Sequence, residues 1–153
     1  MFTRVVDHHA FLRLDPGEEI VESLRSFARE NGVRSAAILS GVGMLSRARL
    51  GFFEVELNDY RPAEFSAIYD LSAVTGSITW RGEQPVPHVH VVFNNPEMSA
   101  FAGHLLEGIC HITVELFIVI LSDLNLVRHA TPGRPATRII GGEIDGDRED
   151  GHS

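Results

Sequence analysis

The chain has 153 residues, of which 44% are hydrophobic and 22% are charged, and its formal net charge is −8 at pH 7. This length suits one domain with its own core, and the composition excludes a fibrous or wholly disordered protein. No apolar run approaches the roughly 18 residues that a membrane helix needs, and the first residues lack the features of a signal peptide. We therefore expect a cytoplasmic protein with no membrane partner.

All 13 basic residues are arginine, and half of the net negative charge lies in residues 141–153, where five acids and Arg148 give −4. An acidic chain without lysine opposes tight non-specific binding to DNA, because such binding depends on basic groups that neutralise phosphates. The single cysteine, Cys110, excludes an intramolecular disulfide framework and a multi-cysteine zinc site. A metal ion would have to be bound by histidines and carboxylates.

The clearest helix pattern occupies residues 15–31. Asp15 is the expected N-cap, Pro16 fits the first helical position, and Glu18 fits the carboxylate of a capping box. Gly32 marks the end of the helix. The apolar residues follow the helical period and predict one buried stripe, formed by Ile20, Val21, Leu24, Phe27 and Ala28.

Strand patterns make up most of the remaining sequence. They lie near residues 4–14, 34–40, 45–56, 67–80, 87–93, 99–106 and 111–121. We predict a mainly antiparallel sheet. Residues 111–121 are apolar at almost every position from Phe117 onward, so both faces of that strand should be covered, one by the helix and the other by a second copy of the protein.

The chain shows no internal repeat, and we expect a single domain over residues 1–129. Residues 130–153 are predicted to lie outside it. Within them, residues 130–138 have the composition of a linker, and the acidic end after Gly141 is predicted to be a mobile tail.

Three histidines surround one short turn in residues 87–105. A hairpin centred on Pro96 would place His88 opposite His104, and His90 would share their face because residues two apart on a strand point the same way. The predicted pairs are His88 with His104 and His90 with Ala102. A register shift of one residue would move His104 to the other face.

Three imidazoles on one face suit a divalent metal, zinc by default, with an open position for water or a small ligand. The opposite face would belong to the core, and it carries Val89, Val91, Phe93, Phe101 and Leu105. The alternative is a chance His-x-His pattern on an exposed strand, with His104 bonded to a backbone carbonyl.

Glu107 is a candidate partner of the metal ligands or a candidate proton carrier. We favour the alternative, in which it is a structural carboxylate that binds backbone amides. The other histidines show no partner spacing and are expected on the surface or in the core: His8, His9, His111, His129 and His152.

Other patterns that could carry chemistry are weaker. Gly41 and Gly43 lack the third glycine and the lysine of a phosphate loop, so a tight strand connection is the better interpretation. Arg47 and Arg49 alternate on one strand face, where they could bind an anion, although a solvated strand edge is favoured. Cys110 has an apolar context that predicts an inert buried thiol.

Four segments occur in a characteristic order: AFLRLDPGEEIVESLRSFARENG, SGVGMLSRARLGFF, HVHVVF and GHLLEG. Together they resemble the PPC domain, a family named for its presence in plants and prokaryotes. The resemblance runs from about Asp7 to Leu121. It implies an α/β domain of the α+β kind, with a curved, mainly antiparallel sheet and a flanking helix, that assembles as a homotrimer.

Prokaryotic members of this family are commonly described as candidate DNA-binding proteins. Some bind a metal through histidines that match His88, His90 and His104, so the resemblance strengthens the metal interpretation. It identifies no reaction and no DNA-binding residue.

Plant members carry an AT-hook, in which Arg-Gly-Arg-Pro with basic neighbours enters the minor groove of A·T-rich DNA. The nearest match here is residues 132–135, where Pro132 replaces the first arginine, so we interpret these residues as linker. The plant segment Gly-Arg-Phe-Glu-Ile-Leu is matched by AIYDLS at residues 67–72, and loss of its Gly-Arg pair argues against the plant type of partner contact.

Three classes of function remain open. The first is a trimeric protein with a histidine-bound metal that senses or binds a small molecule or anion. The second is a DNA-associated regulator, which conflicts with the charge of the chain. The third is a metal-dependent hydrolase or lyase in which Glu107 transfers a proton.

Overall fold

The computed structural model describes residues 1–131 and 134–142. Within them, nine strands and one helix follow one another along the chain. The elements are β1 (Phe2–Val6), β2 (His9–Leu14), α1 (Ile20–Glu30), β3 (Ala36–Glu54), β4 (Asp59–Phe65), β5 (Tyr69–Arg81), β6 (Gln84–Asn94), β7 (Ala100–Ile120), β8 (Asn125–Thr131) and β9 (Arg134–Gly142).

The strands form one sheet, and neighbouring strands are antiparallel except for a parallel contact between β5 and β8. The predicted mainly antiparallel sheet with a flanking helix is therefore confirmed. Strand β3 pairs with β5, β5 with β6, β6 with β7, and β7 again with β3. These four strands close into a ring, so β6 has a partner on both sides.

Strands β3 and β7 are longer than predicted. The patterns at 34–40 and 45–56 belong to the single strand β3, and those at 99–106 and 111–121 belong to β7. The register between β3 and β7 shifts at four places, which bend the pair without ending it. Glycines and polar residues that resemble strand ends in the sequence therefore lie inside bent strands.

The first predicted strand, residues 4–14, is instead a hairpin of β1 and β2. Asp7 has φ 51° in the turn, a conformation that aspartate tolerates better than most residues. Strand β4 was not predicted, because its sequence is polar and contains Pro62. Strand β4 pairs with β3, and proline is tolerated on such edge strands.

Helix α1 begins at Ile20, later than predicted, and Asp15 is not its N-cap. The side chain of Glu19 caps the helix by accepting hydrogen bonds from the amides of Val21 and Glu22. Gly17 has φ 88° and takes part in a turn in which the Glu18 amide donates to the Asp15 carbonyl. This turn, which needs the left-handed backbone of glycine, delays the helix.

The predicted stripe of α1 is confirmed, since all five of its residues are buried. The helix packs against β6 and β7 and covers one face of the sheet. On β7, the side chains of Val114, Leu116 and Ile118 point into this core, whereas Ile112 is 59% and Phe117 is 47% exposed. These exposed side chains lie on the face that was expected to meet a second copy of the protein, so the cover of both faces stays a prediction.

Residues 134–138, expected in the linker, lie in β9, which pairs with β8. The division into a domain over 1–129 and a tail stays a prediction, and residues 132–133 and 143–153 lie outside the described residues. Among the described residues, no helix has the length and apolar character needed to cross a membrane.

Candidate metal centre

Strand β6 alternates between the core and the outer face of the sheet. Val89 is 1% and Val91 is 2% exposed, whereas His88 is half-buried and His90 is exposed on the other side. A Cβ atom at Gly76 of β5 would lie 2.0 Å from the carbonyl oxygen of His88, so glycine permits β5 to approach β6 at this point. The two histidines therefore lie on one face of β6, and β5 pairs with both of them.

The hairpin register differs from the predicted one by two residues. His90 pairs with His104, and His88 pairs with Ser77 of β5. The predicted pairs of His88 with His104 and of His90 with Ala102 are wrong, because the turn is closed between Asn95 and Ser99 and is centred on Glu97. Since the shift is even, the three histidines stay on the same face.

Local hydrogen bonds set this turn. The Asn95 amide donates to the Ser99 carbonyl at 3.2 Å, and the Ser99 amide donates to the Asn95 side-chain oxygen at 2.8 Å. Met98 lies between them with φ 62°. Proline at position 96 marks the turn correctly, but the asparagine side chain decides which residues close it.

The three imidazoles meet. One candidate ligand atom from each of His88, His90 and His104 can be chosen so that all lie within 4.8 Å of one another. The ring centroids are 5.3 Å apart for His88 and His90, 5.0 Å for His88 and His104, and 5.4 Å for His90 and His104. The opposite face is apolar as predicted, with Phe93 and Leu105 buried.

A tyrosine supports one ligand of the cluster. The ring of Tyr60 on β4 stacks on His104, with a centroid distance of 4.8 Å and an interplanar angle of 19°. Gly51 of β3 pairs with His104, and a Cβ atom there would lie 2.8 Å from Cδ1 of Tyr60. The absence of a side chain at Gly51 therefore leaves space for the Tyr60 ring, which orients the imidazole of His104.

Two of the histidines are held in the form that binds a metal. Burial, together with the proximity of His88, His90 and Arg128, lowers the pKa of His104 to about 4. Burial is also the main reason that the pKa of His88 is lowered. Both rings are neutral at pH 7, as metal coordination requires.

An arginine that the sequence did not single out approaches the cluster from β8. Nε of Arg128 donates to Oγ1 of the buried Thr79 at 2.8 Å, and the charge of Arg128 contributes to the lowered pKa values of His88 and His104. No spacing in the sequence links it to the histidines, because its position depends on the parallel contact of β8 with β5. Tyr60 was missed because β4, the strand on which it lies, was not predicted.

The residues fit a metal ion. Nitrogens bound tetrahedrally to one zinc ion at about 2.0–2.1 Å lie about 3.3–3.4 Å apart, so donors that are within 4.8 Å of one another would move closer by up to about 1.5 Å on binding. Nδ1 of His104 is buried and has no hydrogen-bond partner in the described part of the chain. A buried nitrogen normally has a partner, and a metal ion would provide one.

Glu107 is not a member of the histidine cluster. Its Oε1 lies 3.7 Å from Nε of Arg47, which makes it one side of an ion pair. Of the other histidines, His8 contacts the Ser122 hydroxyl at 2.9 Å. His9, His111 and His129 are also outside the cluster, and His152 lies outside the described residues.

The remaining candidates have structural positions. Gly41 and Gly43 lie inside β3, paired with Leu116 and Val114 of β7, so they form neither a phosphate loop nor a strand connection. Cys110 is 1% exposed, and burial raises the pKa of its thiol to about 11, which confirms the predicted buried thiol.

Arg47 and Arg49 do not lie on a solvated edge, because β4 and β7 flank this part of β3. Arg47 lies 3.4 Å from a carboxylate oxygen of Glu64 and 3.7 Å from one of Glu107, and Arg49 lies 4.0 Å from Glu64. In AIYDLS, Leu71 is buried and Tyr69 packs on Phe93 with a centroid distance of 4.9 Å. These residues support the core.

Known proteins share this fold. The profile of the Plants and Prokaryotes Conserved (PCC) domain matches residues 3–122. The chain belongs to this family. The match confirms the resemblance to the PPC domain that the sequence motifs indicated.

Two solved structures have the PCC fold seen here. A candidate DNA-binding protein from Bacteroides thetaiotaomicron is 26% identical, with a TM-score of 0.85 over 91% of this chain and 96% of that one. A metal-containing protein from Archaeoglobus fulgidus is 24% identical, with a TM-score of 0.80 over 89% of this chain and 95% of that one.

A curated relative is much longer than this chain. The bifunctional protein GlmU of a Synechococcus strain is 30% identical over 127 residues, which are 82% of this chain and 19% of that protein. This chain spans about a fifth of the length of the curated relatives it matches.

Proposed function

We propose that this PCC-domain protein holds a divalent metal, with zinc as the expected ion, on His88, His90 and His104 and uses its open position to bind a small molecule. The observation that carries the proposal is the convergence of three imidazoles, one with a buried nitrogen that lacks a protein partner among the described residues. A metal is compatible with the fold, since the Archaeoglobus neighbour is itself called metal-containing.

Elemental mass spectrometry of the untagged protein tests the metal. We expect about one zinc or similar ion per chain in the native protein and almost none in His104→Ala. His111→Ala is the matched control, because His111 lies on the same strand but outside the cluster. Absence of metal from the native protein, even after incubation with zinc, would contradict the proposal.

DNA binding is the second candidate, favoured by the description of the Bacteroides neighbour as a candidate DNA-binding protein. The charge of −8 opposes it, and Arg47 and Arg49 are already paired with carboxylates. Retention on duplex DNA should weaken steeply with salt if phosphates are contacted. Retention at 50 mM salt that is lost at 200 mM salt would support the regulator.

A metal-dependent hydrolase or lyase is the third candidate function, and the position of its proposed proton carrier does not favour it. Its candidate proton carrier, Glu107, is paired with Arg47 and lies outside the histidine cluster. Turnover of an ester or phosphate substrate that requires both the metal and Glu107 would favour this class over a binding protein.

We also propose that the protein is a homotrimer. Leu39 and Val42 on β3 and Ile112 and Phe117 on β7 are 47–60% exposed, and such apolar side chains on central strands favour cover by another chain. Sedimentation equilibrium should give about three times the chain mass of 16.9 kDa. Ile112→Asp should lower that mass, and a native protein of one chain mass would contradict the trimer.

A further inference from the structure

Arg128 is held on the same face of the sheet as the three imidazoles. Its Nε donates to Oγ1 of Thr79 at 2.8 Å, and Thr79 lies two residues along β5 from Ser77, the strand partner of His88. Residues two apart on a strand share a face and lie about 6.6–6.8 Å apart. The hydrogen bond therefore places the guanidinium beside the His88 end of the cluster.

Tyr60 borders the same region from the other side. Its ring stacks on His104, and it also lies near enough to Arg128 to affect the pKa of the guanidinium. Burial lowers that pKa, and Tyr60 raises it in part. The guanidinium is thus partly withdrawn from water, where its charge acts more strongly on a ligand than at an exposed position.

A cavity of about 190 Å³ lies beside His90, and its lining includes Ala73 and Thr75 of β5. Arg128 lies at the other end of the cluster, because Thr79 follows Ser77, the partner of His88, on the same strand. A ligand that contacts both the metal and Arg128 would therefore lie at the His88 end, outside this cavity.

The charges of the site favour an anion. Histidine ligands bring no negative charge to offset that of a divalent ion, and no carboxylate of the described residues belongs to the cluster. Arginine adds a second positive centre, and its planar fork matches the paired oxygens of a carboxylate or a phosphate. A neutral ligand would use neither of these features.

We propose that the three-histidine site binds a small oxyanion, a carboxylate or a phosphate, and that Arg128 is the residue that selects it by charge and by its paired N–H groups. This inference rests on the proposed metal site. Tyr60 is a positioning residue, since it orients His104 and borders the guanidinium.

Cobalt-substituted protein provides the test, because the visible absorption of Co²⁺ reports both metal loading and changes in its ligands. The metal-free protein is loaded with Co²⁺ and titrated with acetate and with inorganic phosphate. Arg128→Gln should load normally but bind the preferred anion about tenfold or more weakly. Arg128→Lys, which keeps the charge without the fork, should be intermediate. Arg25→Gln on α1, where Arg25 pairs with Glu22, should match the native protein.

The outcomes separate the two proposals. Failure of the native protein to take up Co²⁺ would overturn the metal site itself. Normal uptake with equal anion affinities in the native protein and Arg128→Gln would overturn only the role of Arg128, and the absence of any anion response would overturn the ligand class. Thermal unfolding of each variant shows whether it is folded. If Arg128→Gln does not fold, Arg128→Lys, which retains a charged donor for Thr79, takes its place in the comparison of anion affinities. Tighter binding of acetate or of phosphate would identify the ligand as a carboxylate or a phosphate.

Discussion

The two faces of the β6–β7 hairpin are built from alternate residues of the same strands, yet they differ in almost every property. On one face, Val89, Val91 and Phe93 are at most 2% exposed and pack in the core. On the other face, His88 and His90 meet a third imidazole in a partly open site. Because alternate side chains point in opposite directions, the hairpin separates the residues that stabilise the fold from those that carry the chemistry. Substitutions should therefore affect one property without the other.

The largest effect is expected on the core face. Phe93 is 0% exposed and contacts the rings of Phe65, Tyr69 and Phe101, so Phe93→Ala should reduce the free energy of unfolding by about 3–5 kcal/mol. Urea unfolding measures this loss. The folded fraction should still bind metal at the native ratio; loss of metal from folded molecules would show that the two faces are coupled.

The next largest effect is expected on the histidine face, where metal binding should change the melting temperature. Excess zinc should raise the melting temperature of the native protein, because a ligand that binds only the folded state stabilises it, by about 2.7 kcal/mol at a hundred times its Kd. His88→Gln should abolish the rise while changing the metal-free melting temperature little. His111→Gln is the control, and an equal response in both variants would contradict the assigned ligands.

Acid should destabilise the metal-free protein through the same face. The pKa of His104 is lowered to about 4, chiefly by burial, whereas an unfolded histidine titrates near 6.5. Between these values the unfolded chain binds more protons, so stability should fall as the pH falls from about 6.5 towards 4. Melting temperatures of chelator-treated protein measure the slope. His104→Asn should make it shallower, and an unchanged slope would mean that this imidazole is not responsible.

The last prediction concerns the reactivity of the Cys110 thiol, and it involves the smallest change to the protein. Its thiol is buried and donates to the Leu14 carbonyl at 3.5 Å, and burial raises its pKa to about 11. At pH 7.4 the folded protein should react with a disulfide reagent about a hundredfold or more slowly than the protein in urea. Fast reaction of the folded protein would place this part of β7 outside the core.

The sequence was sufficient for the features that depend on periodicity. The stripe of α1 and the apolar and histidine faces of β6 follow from the helical and strand periods, and the structure has both. The hairpin register could not be predicted from periodicity, because the side chain of Asn95 sets which residues close the turn. The three histidines still share a face because the shift is even, and their role as metal ligands stays a prediction.

Other parts depend on contacts between distant segments. Tyr60 lies on β4, whose polar sequence does not have the pattern of a strand. Arg128 is positioned by one parallel contact between β5 and β8. Neither position has a spacing relative to the histidines that a sequence pattern could reveal. The helix start was mispredicted for a local reason, because Asp15 and Pro16 form a glycine-dependent turn ahead of Glu19.

The ring of β3, β5, β6 and β7 also bears on the order of folding. Its closure pairs Ala36 with Ile120, two residues far apart in the chain, and such long loops are slow to close. His90 and His104 meet across a short local hairpin, which forms within microseconds in isolation. We expect the metal-binding residues to assemble early and the ring to close last, so that a metal ion bound during synthesis would act as a nucleus for the rest of the domain.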